Sequence, residues 1–210
     1  METRWQRCRA GASVTGMGTE TFLWIAIGYL LGSIPFGLLL TRSQGIDIRA
    51  VGSGNIGTTN VLRTGNKGLA AATLLLDAGK GAAAVLLARQ FGGVEAAMLA
   101  GIAAFIGHCY PVWLKFNGGK GVATLLGVAL AAVPLAGVIA LLAWAAGAAA
   151  TRYSSVGGLA AAVAAPVAAI GLGFLHSGYA MALMTVILFW KHRDNIARLR
   201  AGTESRIGQK

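Results

Sequence analysis

The chain alternates between long apolar stretches and short polar ones, and the apolar stretches have the length of membrane-spanning helices. The first three run from Thr21 to Thr41, from about Gly68 to Ala88 and from about Ala96 to Trp113. Each approaches the roughly 20 residues that a helix needs to cross a bilayer. Apolar residues follow one another without the alternation of a barrel strand. The pattern therefore predicts an all-α fold, a polytopic transmembrane helix bundle.

The remaining apolar stretch, residues 122–190, contains three breaks, which lie at Pro134, at 151–155 and at 171–178. Two long helices there would give five spans in all, and four shorter helices would give seven. Cytoplasmic loops are enriched in Lys and Arg. Seven spans, with the N-terminus outside and the C-terminus cytoplasmic, place Arg152 and the other Lys- and Arg-bearing segments inside. Seven spans are therefore preferred to five.

The domain organisation predicted from this pattern is simple. Residues 1–20 form a polar tail, whose three arginines oppose the predicted orientation unless translation starts at Met17. Residues 21–204 form a single integral membrane domain. Residues 205–210 form a short C-terminal tail.

Composition strengthens the membrane prediction. Hydrophobic residues make up 56% of the chain and charged residues only 12%, whereas soluble domains are about 25% charged. The 31 glycines are typical of closely packed membrane helices. The net charge of +11 is divided among short loops, which argues against a nucleic-acid partner. Cys8 and Cys109 have no spacing that predicts a disulfide framework or a metal site.

The first polar segment contains a glycine-rich sequence, GSGNIGTTNVLR, at residues 52–63. Its glycines alternate with hydroxyl and amide side chains that include Ser53, Asn55 and Asn60. Such a loop can turn several N–H groups toward an anion, and Arg63 would complete the shell. A flexible loop of turn residues is the alternative. The nucleotide-binding P-loop pattern is absent.

A second polar sequence, Gly118-Gly119-Lys120-Gly121, directly precedes an apolar stretch. Glycines before a helix N-terminus expose unpaired N–H groups at the positive end of the helix dipole. Lys120 adds a full charge, so the sequence predicts a phosphate cradle at the membrane surface. A tight turn with a snorkelling lysine is the alternative. Lys120 would act as a base only if burial lowered its pKa.

The third polar segment follows the last span. A basic flank after a span explains its lysines and arginines. It does not require His192, Asn195 and Glu204, which lie among those cations. These three residues are therefore candidates for a site.

Charged and polar residues also occur inside the apolar stretches. Asp77 and Lys80, three residues apart, are expected to pair within the second span. Charged groups in a membrane are candidates for function, although this pair could also brace the bundle. His108 ends the third span, where a structural role is the alternative to a catalytic one.

With these motifs in this order, the chain resembles the bacterial acyl-phosphate-dependent glycerol-3-phosphate acyltransferases from about Thr21 to Glu204. The resemblance also includes the first-span sequence GSIPFG and the segment Arg152-Tyr153-Ser154-Ser155. It implies transfer of an acyl group from acyl phosphate to the sn-1 hydroxyl of glycerol 3-phosphate, giving lysophosphatidic acid and phosphate, the first step of phospholipid synthesis. The H-x-x-x-x-D signature of other glycerol acyltransferases is absent. A membrane transporter of a phosphorylated solute is the alternative function.

With this reaction in view, we hypothesise a role for each candidate residue. The acyl-phosphate head would lie at Gly118, Gly119, Lys120 and Gly121, and the catalytic residues would be Lys120, His192 and Ser53. The residues that bind glycerol 3-phosphate would be Ser53, Arg63, Ser155, His192 and Asn195. Supporting residues would be Asn55, Asn60, His108, Asp77, Lys80 and Glu204, the last of which would orient a cation. His192 and a substrate phosphate oxygen both remain candidates for the general base.

The resemblance also implies the surroundings of the reaction. The enzyme would lie in the bacterial inner membrane with its active site facing the cytoplasm. It would need no metal and no organic cofactor. Its partners would be its two substrates, the lipid bilayer and an enzyme that produces acyl phosphate.

Overall fold

The structure is a computed structural model that describes residues 19–208, and every regular element in that range is helical. The first apolar stretch forms α1 (Thr19–Gly32) and α2 (Phe36–Arg42), which are separated at Pro35. The predicted N-terminal tail and the candidate start at Met17 fall mainly on residues 1–18, outside the described residues. Thr19 and Glu20 already belong to α1.

The first polar segment contains two short helical elements between α2 and the next long helix. These are a 3-10 turn (Ile48–Ala50) and α3 (Thr58–Leu62). Asp47 caps the 3-10 turn by accepting a hydrogen bond from the Arg49 N–H at 3.0 Å. The caps satisfy N–H groups that would otherwise lack a partner.

The second and third apolar stretches form one hairpin of helices. The segment Lys67–Cys109 is helical on both sides of Gly93, whose φ of 86° and ψ of −176° interrupt the helix. Glycine adopts this conformation without steric cost. The two arms are α4 (67–92) and α5 (94–109). A straight helix would separate Asp77 and His108 by roughly 46 Å, yet their side chains lie 3.6 Å apart.

The last apolar stretch forms four separate helices rather than two long ones. After a 3-10 turn (Val112–Leu114), these helices are α6 (Val122–Ala132), α7 (Pro134–Thr151), α8 (Ser154–Gly171) and α9 (Leu175–Lys191). They end near the three breaks that the sequence predicts. A short amphipathic helix, α10 (Arg193–Arg200), follows α9.

Four helical segments among residues 19–208 are long and apolar enough to cross a membrane. They are Thr19–Arg42, Lys67–Leu114, Pro134–Thr151 and Ser154–Gly171. The hairpin at Gly93 divides the second of them, whereas α6 is an apolar helix of only 11 residues. The predicted seven crossings and their orientation stay predictions.

Small residues let the helices pack with their backbones in contact. A Cβ atom at Gly32 of α1 would collide with the carbonyl oxygen of Ala104 in α5, and one at Gly127 of α6 with that of Ala78 in α4. Close approach of this kind is a main source of attraction between helices in a membrane, where the surrounding lipid is as apolar as the side chains. The largest side chains buried in the core include Phe105, Leu125, Met181, Met184 and Leu188.

We predict that Gly127→Ala destabilises the bundle by about 1–3 kcal/mol, because the added methyl group forces α4 and α6 apart. The matched control is Gly79→Ala in α4, where an added Cβ meets no atom within 4 Å. Thermal denaturation in detergent, followed by tryptophan fluorescence, should show a lower midpoint for the first variant only. Equal midpoints for the two variants would contradict the packing described here.

Candidate active site

The four polar segments predicted to share one side of the bundle meet at one end of it. Ser154 at the start of α8 shares a hydrogen bond of 2.8 Å with Thr59 in α3. The Ile207 N–H donates to the carbonyl of Arg152 at 2.7 Å. The site is therefore assembled from residues that are distant in sequence.

Asn60 folds the first polar segment around its own side chain. It is 3% exposed, and its Nδ2 donates to the carbonyls of Ile48 at 3.1 Å and Val51 at 2.9 Å. Its Oδ1 accepts from the N–H of Ser53 at 3.0 Å and from the Ser53 hydroxyl at 3.3 Å. Asn60 thus fixes the position of Ser53.

Two other residues of this segment have different partners. The Asn55 side chain closes a local turn by accepting from the Gly57 N–H at 2.9 Å. Arg63 contacts the Asn60 Oδ1 at 3.4 Å and donates to the Ser205 hydroxyl. Arg63 therefore joins the first polar segment to the C-terminal segment.

The glycine loop at residues 118–121 differs in one respect from the loop that the sequence predicts. The N–H groups of Gly118 and Gly119 are not unpaired, because they donate to the carbonyls of Cys109 at 3.2 Å and His108 at 3.0 Å. A Cβ atom at either glycine would collide with His108, so these glycines permit close packing instead. The next N–H groups along the loop, at 120–123, have no backbone or side-chain acceptor among residues 19–208.

Lys120 lies between the glycine loop and the C-terminal segment. Its Nζ donates to Oδ1 of Asn195. Burial, assisted by the positive charge of nearby Arg198, lowers the pKa of Lys120 to about 8. Lys120 is thus mostly protonated at pH 7 and loses its charge in mildly alkaline solution.

His192 is held in one orientation between α9 and α10. The residue is 3% exposed, and its Nδ1 lies 2.9 Å from the carbonyl oxygen of Leu188. A carbonyl only accepts, so Nδ1 carries the proton and Nε2 of the neutral ring is an acceptor. Burial, together with the charge of Lys120, lowers the pKa of His192 to about 4. The ring is therefore neutral at pH 7.

Glu204 connects the elements around this lysine and histidine. Its Oε1 accepts from the Ser155 hydroxyl at 2.8 Å and from the Asn195 amide at 2.5 Å. Its Oε2 accepts from Arg198 Nε at 2.7 Å. Burial raises the pKa of the Glu204 carboxyl, but the three hydrogen bonds outweigh burial and hold the pKa below its usual value. Glu204 therefore holds Arg198 in place, and its role in the reaction stays a prediction.

A cavity of about 850 Å³ runs from this polar cluster into the apolar part of the bundle. Its polar end is lined by Ser53, Asn60, Arg63, Lys120, Ser155, His192, Asn195, Arg198 and Glu204. Its apolar end is lined by Leu74, Val122, Leu126, Leu141 and Trp144. A second cavity of about 160 Å³ adjoins it and is lined by Ser53, Asn55, Lys120, Lys191, Arg193, Asp194 and Arg198. The cavities therefore combine cationic and apolar walls.

Asp77, Lys80 and His108 lie together between α4 and α5. The Asp77 carboxylate is 2.7 Å from Lys80 Nζ and 3.6 Å from His108 Nδ1. Asp77 and His108 also line the large cavity. The predicted pair is present, and His108 joins it.

Arg198 and Ser205 are the contributors that the sequence pattern did not single out. Arg198 resembles the other cations of a basic flank. Arg198 follows Asn195 by three residues, so both lie on one face of α10. This spacing is the feature of the sequence that could have identified Arg198. Ser205 has no such signal, because its contact with Arg63 spans 142 residues of the chain.

Within residues 19–208, no group of three or more His, Cys, Asp or Glu residues is arranged to hold a metal ion. The expected independence from a metal stays a prediction. The chemistry that this cluster offers comes from its cations, its hydroxyl and amide groups and the neutral imidazole.

Residues 22–202 match the family model described as Glycerol-3-phosphate acyltransferase. The chain belongs to this family. It is 59% identical over 189 residues to the glycerol-3-phosphate acyltransferase of Roseobacter denitrificans, covering 90% of this chain and 94% of the relative. The protein of the same name from Agrobacterium fabrum is 61% identical over 185 residues, covering 88% and 90% of the two chains.

Two solved structures have the same fold. The chain matches the glycerol 3-phosphate form of PlsY (YgiH), an integral membrane glycerol 3-phosphate acyltransferase, with a TM-score of 0.86 and 35% identity. The match covers 90% of this chain and 96% of that one. The lysophosphatidic acid form of PlsY matches with a TM-score of 0.84 and 34% identity, covering 90% and 95%. The predicted family and the membrane-protein fold are therefore confirmed.

We predict that Glu204→Gln loosens the C-terminal segment, because Arg198 loses its ionic partner and the amide cannot accept all three hydrogen bonds. Hydrogen bonds to charged groups contribute about 1.5–3 kcal/mol, so tryptic cleavage after Arg206 should accelerate by about tenfold or more. Glu95→Gln, at an exposed position near the Gly93 hairpin, is the control. An unchanged cleavage rate in Glu204→Gln would show that this carboxylate does not hold the segment.

Proposed function

We propose that this protein transfers an acyl group from acyl phosphate to the sn-1 hydroxyl of glycerol 3-phosphate. The products are 1-acyl-glycerol 3-phosphate and inorganic phosphate. The observation that carries the proposal is the cavity of about 850 Å³, whose cationic end suits two phosphate groups and whose apolar end suits an acyl chain.

The polar end of the cavity offers separate contacts for the two anions. Lys120 and the free N–H groups at 120–123 face the head of the acyl donor, because they start a helix whose dipole favours negative charge. Arg63, and Ser53 held by Asn60, come from the first polar segment and bind the phosphate of glycerol 3-phosphate. Family membership and the relatives' shared name support this acceptor.

The apolar end accommodates the acyl chain. Leu74 of α4, Leu126 of α6, and Leu141 and Trp144 of α7 line it. Burying a methylene group against such walls contributes about 0.8 kcal/mol. The apolar wall therefore holds the donor while its head reaches Lys120.

Acyl phosphate is the donor whose transfer requires the least chemistry from the side chains of the protein. Its phosphate is a good leaving group, so the glycerol hydroxyl attacks the carbonyl carbon directly and no acyl-enzyme forms. Positioning and charge stabilisation then supply the catalysis. Lys120 stabilises the oxyanion and the departing phosphate. Cys109 does not act as a nucleophile, because it is fully buried behind the glycine loop.

The proton of the hydroxyl group has a defined route in this proposal. His192 presents Nε2 as an acceptor that aligns the hydroxyl, since its Nδ1 is committed to the Leu188 carbonyl. With a pKa of about 4, the ring binds a proton too weakly to be an effective general base at pH 7, because an effective base has a pKa near the working pH. The proton therefore passes to an oxygen of the departing phosphate as the ester bond forms and the acyl–oxygen bond to phosphate breaks.

The active site faces the cytoplasm of a bacterial inner membrane, because the Lys- and Arg-rich segments that build it belong on that side. An enzyme that makes acyl phosphate must supply the donor, whose reactivity makes long storage unfavourable.

Phosphate release by the detergent-purified protein, with palmitoyl phosphate in the presence and absence of glycerol 3-phosphate, tests the function. Release that requires both substrates and yields lysophosphatidic acid supports the proposal. Activity only with acyl-CoA or acyl-carrier protein would overturn the donor and keep the acceptor. Folded protein that is inactive with all three donors would overturn the transferase, and liposome uptake of glycerol 3-phosphate would then test transport.

We predict that Lys120 sets the alkaline limit of activity. With a pKa of about 8, its ammonium group is present below that pH and is lost above it, so kcat/KM should fall as pH rises through about 8. Lys120→Ala should lower kcat/KM at pH 7 by roughly 10²-fold or more, because a charge that stabilises the transition state is removed.

Lys120→Arg is the informative partner variant. Its guanidinium keeps its charge throughout this range, so its lower activity should show no fall near pH 8. An identical alkaline limit in wild type and Lys120→Arg would assign that limit to another group.

A further inference from the structure

The charged cluster between α4 and α5 has no part in the chemical steps proposed above, although it is deeply buried. Asp77 is 2% exposed, and Lys80 and His108 are each 5% exposed. Charged groups at such positions in a membrane protein are costly. Lys80 is fully occupied structurally, since it pairs with Asp77 at 2.7 Å and donates to the Ile34 carbonyl at 2.8 Å beside Pro35. Asp77 and His108 have further contacts that point toward the active site.

Asp77 anchors the start of α6. Its carbonyl oxygen accepts a hydrogen bond of 3.0 Å from the hydroxyl of Thr124, in the first turn of that helix. Gly81 allows this approach, because a Cβ atom there would lie 2.7 Å from the carbonyl oxygen of Thr124. The turn of α4 that carries Asp77 is therefore fixed to the N-terminus of α6.

His108 anchors the loop that leads into the same helix. Its carbonyl accepts from the Gly119 N–H at 3.0 Å. Its imidazole lies directly under Gly119, where a side chain at that position would collide with Nε2. Its Nδ1 is 3.6 Å from the Asp77 carboxylate. One residue therefore contacts Gly119 through both its backbone and its ring, while Asp77 lies against the ring.

Lys120 and the free N–H groups at 120–123 lie between these two anchors. The loop is held at Gly119 on one side, and the helix is held at Thr124 on the other. A displacement of His108 would move Gly119, and the direction of the Lys120 side chain and of the N–H groups would change with it. Misplacement of reacting groups by about 1 Å can cost roughly 100-fold in rate.

We propose that Asp77 and His108 are positioning residues that set the geometry of residues 120–123 toward the head of the acyl donor. The identity of that donor rests on the proposed function. In the proposed function, Ser53 and Arg63 bind the phosphate of glycerol 3-phosphate and His192 aligns its hydroxyl group, and these residues lie on other elements. Loss of the anchors therefore lowers kcat/KM for the acyl donor and leaves the affinity for glycerol 3-phosphate unchanged.

The test compares His108→Leu and His108→Asn with wild type. The asparagine amide retains a donor near the position of Nδ1, facing Asp77, whereas leucine retains none. His108→Leu should lower kcat/KM for palmitoyl phosphate by roughly 10- to 100-fold, and His108→Asn should recover part of that loss. The KM for glycerol 3-phosphate should stay within about twofold of wild type in both.

Two further variants separate positioning from general stability. Asp77→Leu combined with Lys80→Met removes both buried charges at once, a replacement that is often neutral or stabilising for folding. It should keep the thermal midpoint of the wild type, because the backbone carbonyl of residue 77 still accepts from Thr124. It should lower kcat/KM for palmitoyl phosphate, because the His108 ring loses the carboxylate that lies against it. Thr73→Val is the control, because Thr73 is fully buried in α4 one turn before Asp77 and bonds only to its own helix, at the Leu69 carbonyl.

Hydrogen exchange of the Gly118 and Gly119 amides, which donate to the Cys109 and His108 carbonyls, gives a readout that needs no turnover. Exchange should accelerate in His108→Leu and stay at the wild-type rate in Thr73→Val. Unchanged exchange together with unchanged donor kinetics in folded His108→Leu would overturn the inference. An equal rise of KM for both substrates would also overturn it. Inactivity of the wild type with palmitoyl phosphate would instead refute the proposed donor, and the exchange measurement would still decide the positioning role.

Discussion

The carboxylate of Glu204 holds the polar end of the bundle in one arrangement. It accepts hydrogen bonds from Ser155 at the start of α8 and from Asn195 and Arg198 on α10. Asn195 in turn accepts from Lys120, at the end of the glycine loop. One acidic group therefore ties together cations that would otherwise repel one another. Because the group is almost fully enclosed, these hydrogen bonds are stronger than they would be in water.

The same cluster is built on helices that pack through small residues. Glycine at the contact points of α1, α4, α5 and α6 brings backbones together, so polar side chains from different helices reach one another in a membrane interior. The pair of Asp77 and Lys80 is tolerated there because each charge has an immediate partner. The close packing of the rigid apolar helices therefore sets the distances between the polar side chains at the end of the bundle.

Residue type and local spacing identified many of the side chains that line the cavity. Asn60 was predicted only as a supporting residue, and in the structure it holds Ser53 in position. The glycine loop was expected to offer N–H groups at Gly118 and Gly119, but these bond to Cys109 and His108. The physical reason is that a glycine in the sequence indicates the close approach of another segment. It does not identify that segment, nor does it show whether a carbonyl of that segment will accept from the N–H of the glycine.

The sequence by itself determined the membrane character, the helical fold and the family, because apolar length and ordered motifs are properties of the chain alone. It also indicated the four helices between 122 and 191, since proline, glycine and polar residues mark their ends. The break at Gly93 also lies where the sequence separates the second span from the third, but only the tertiary structure decided the contacts of His108, Arg198 and Ser205. Those contacts join residues separated by up to 142 positions. Their partners are chosen by how the helices pack in three dimensions, which spacing along the chain does not encode.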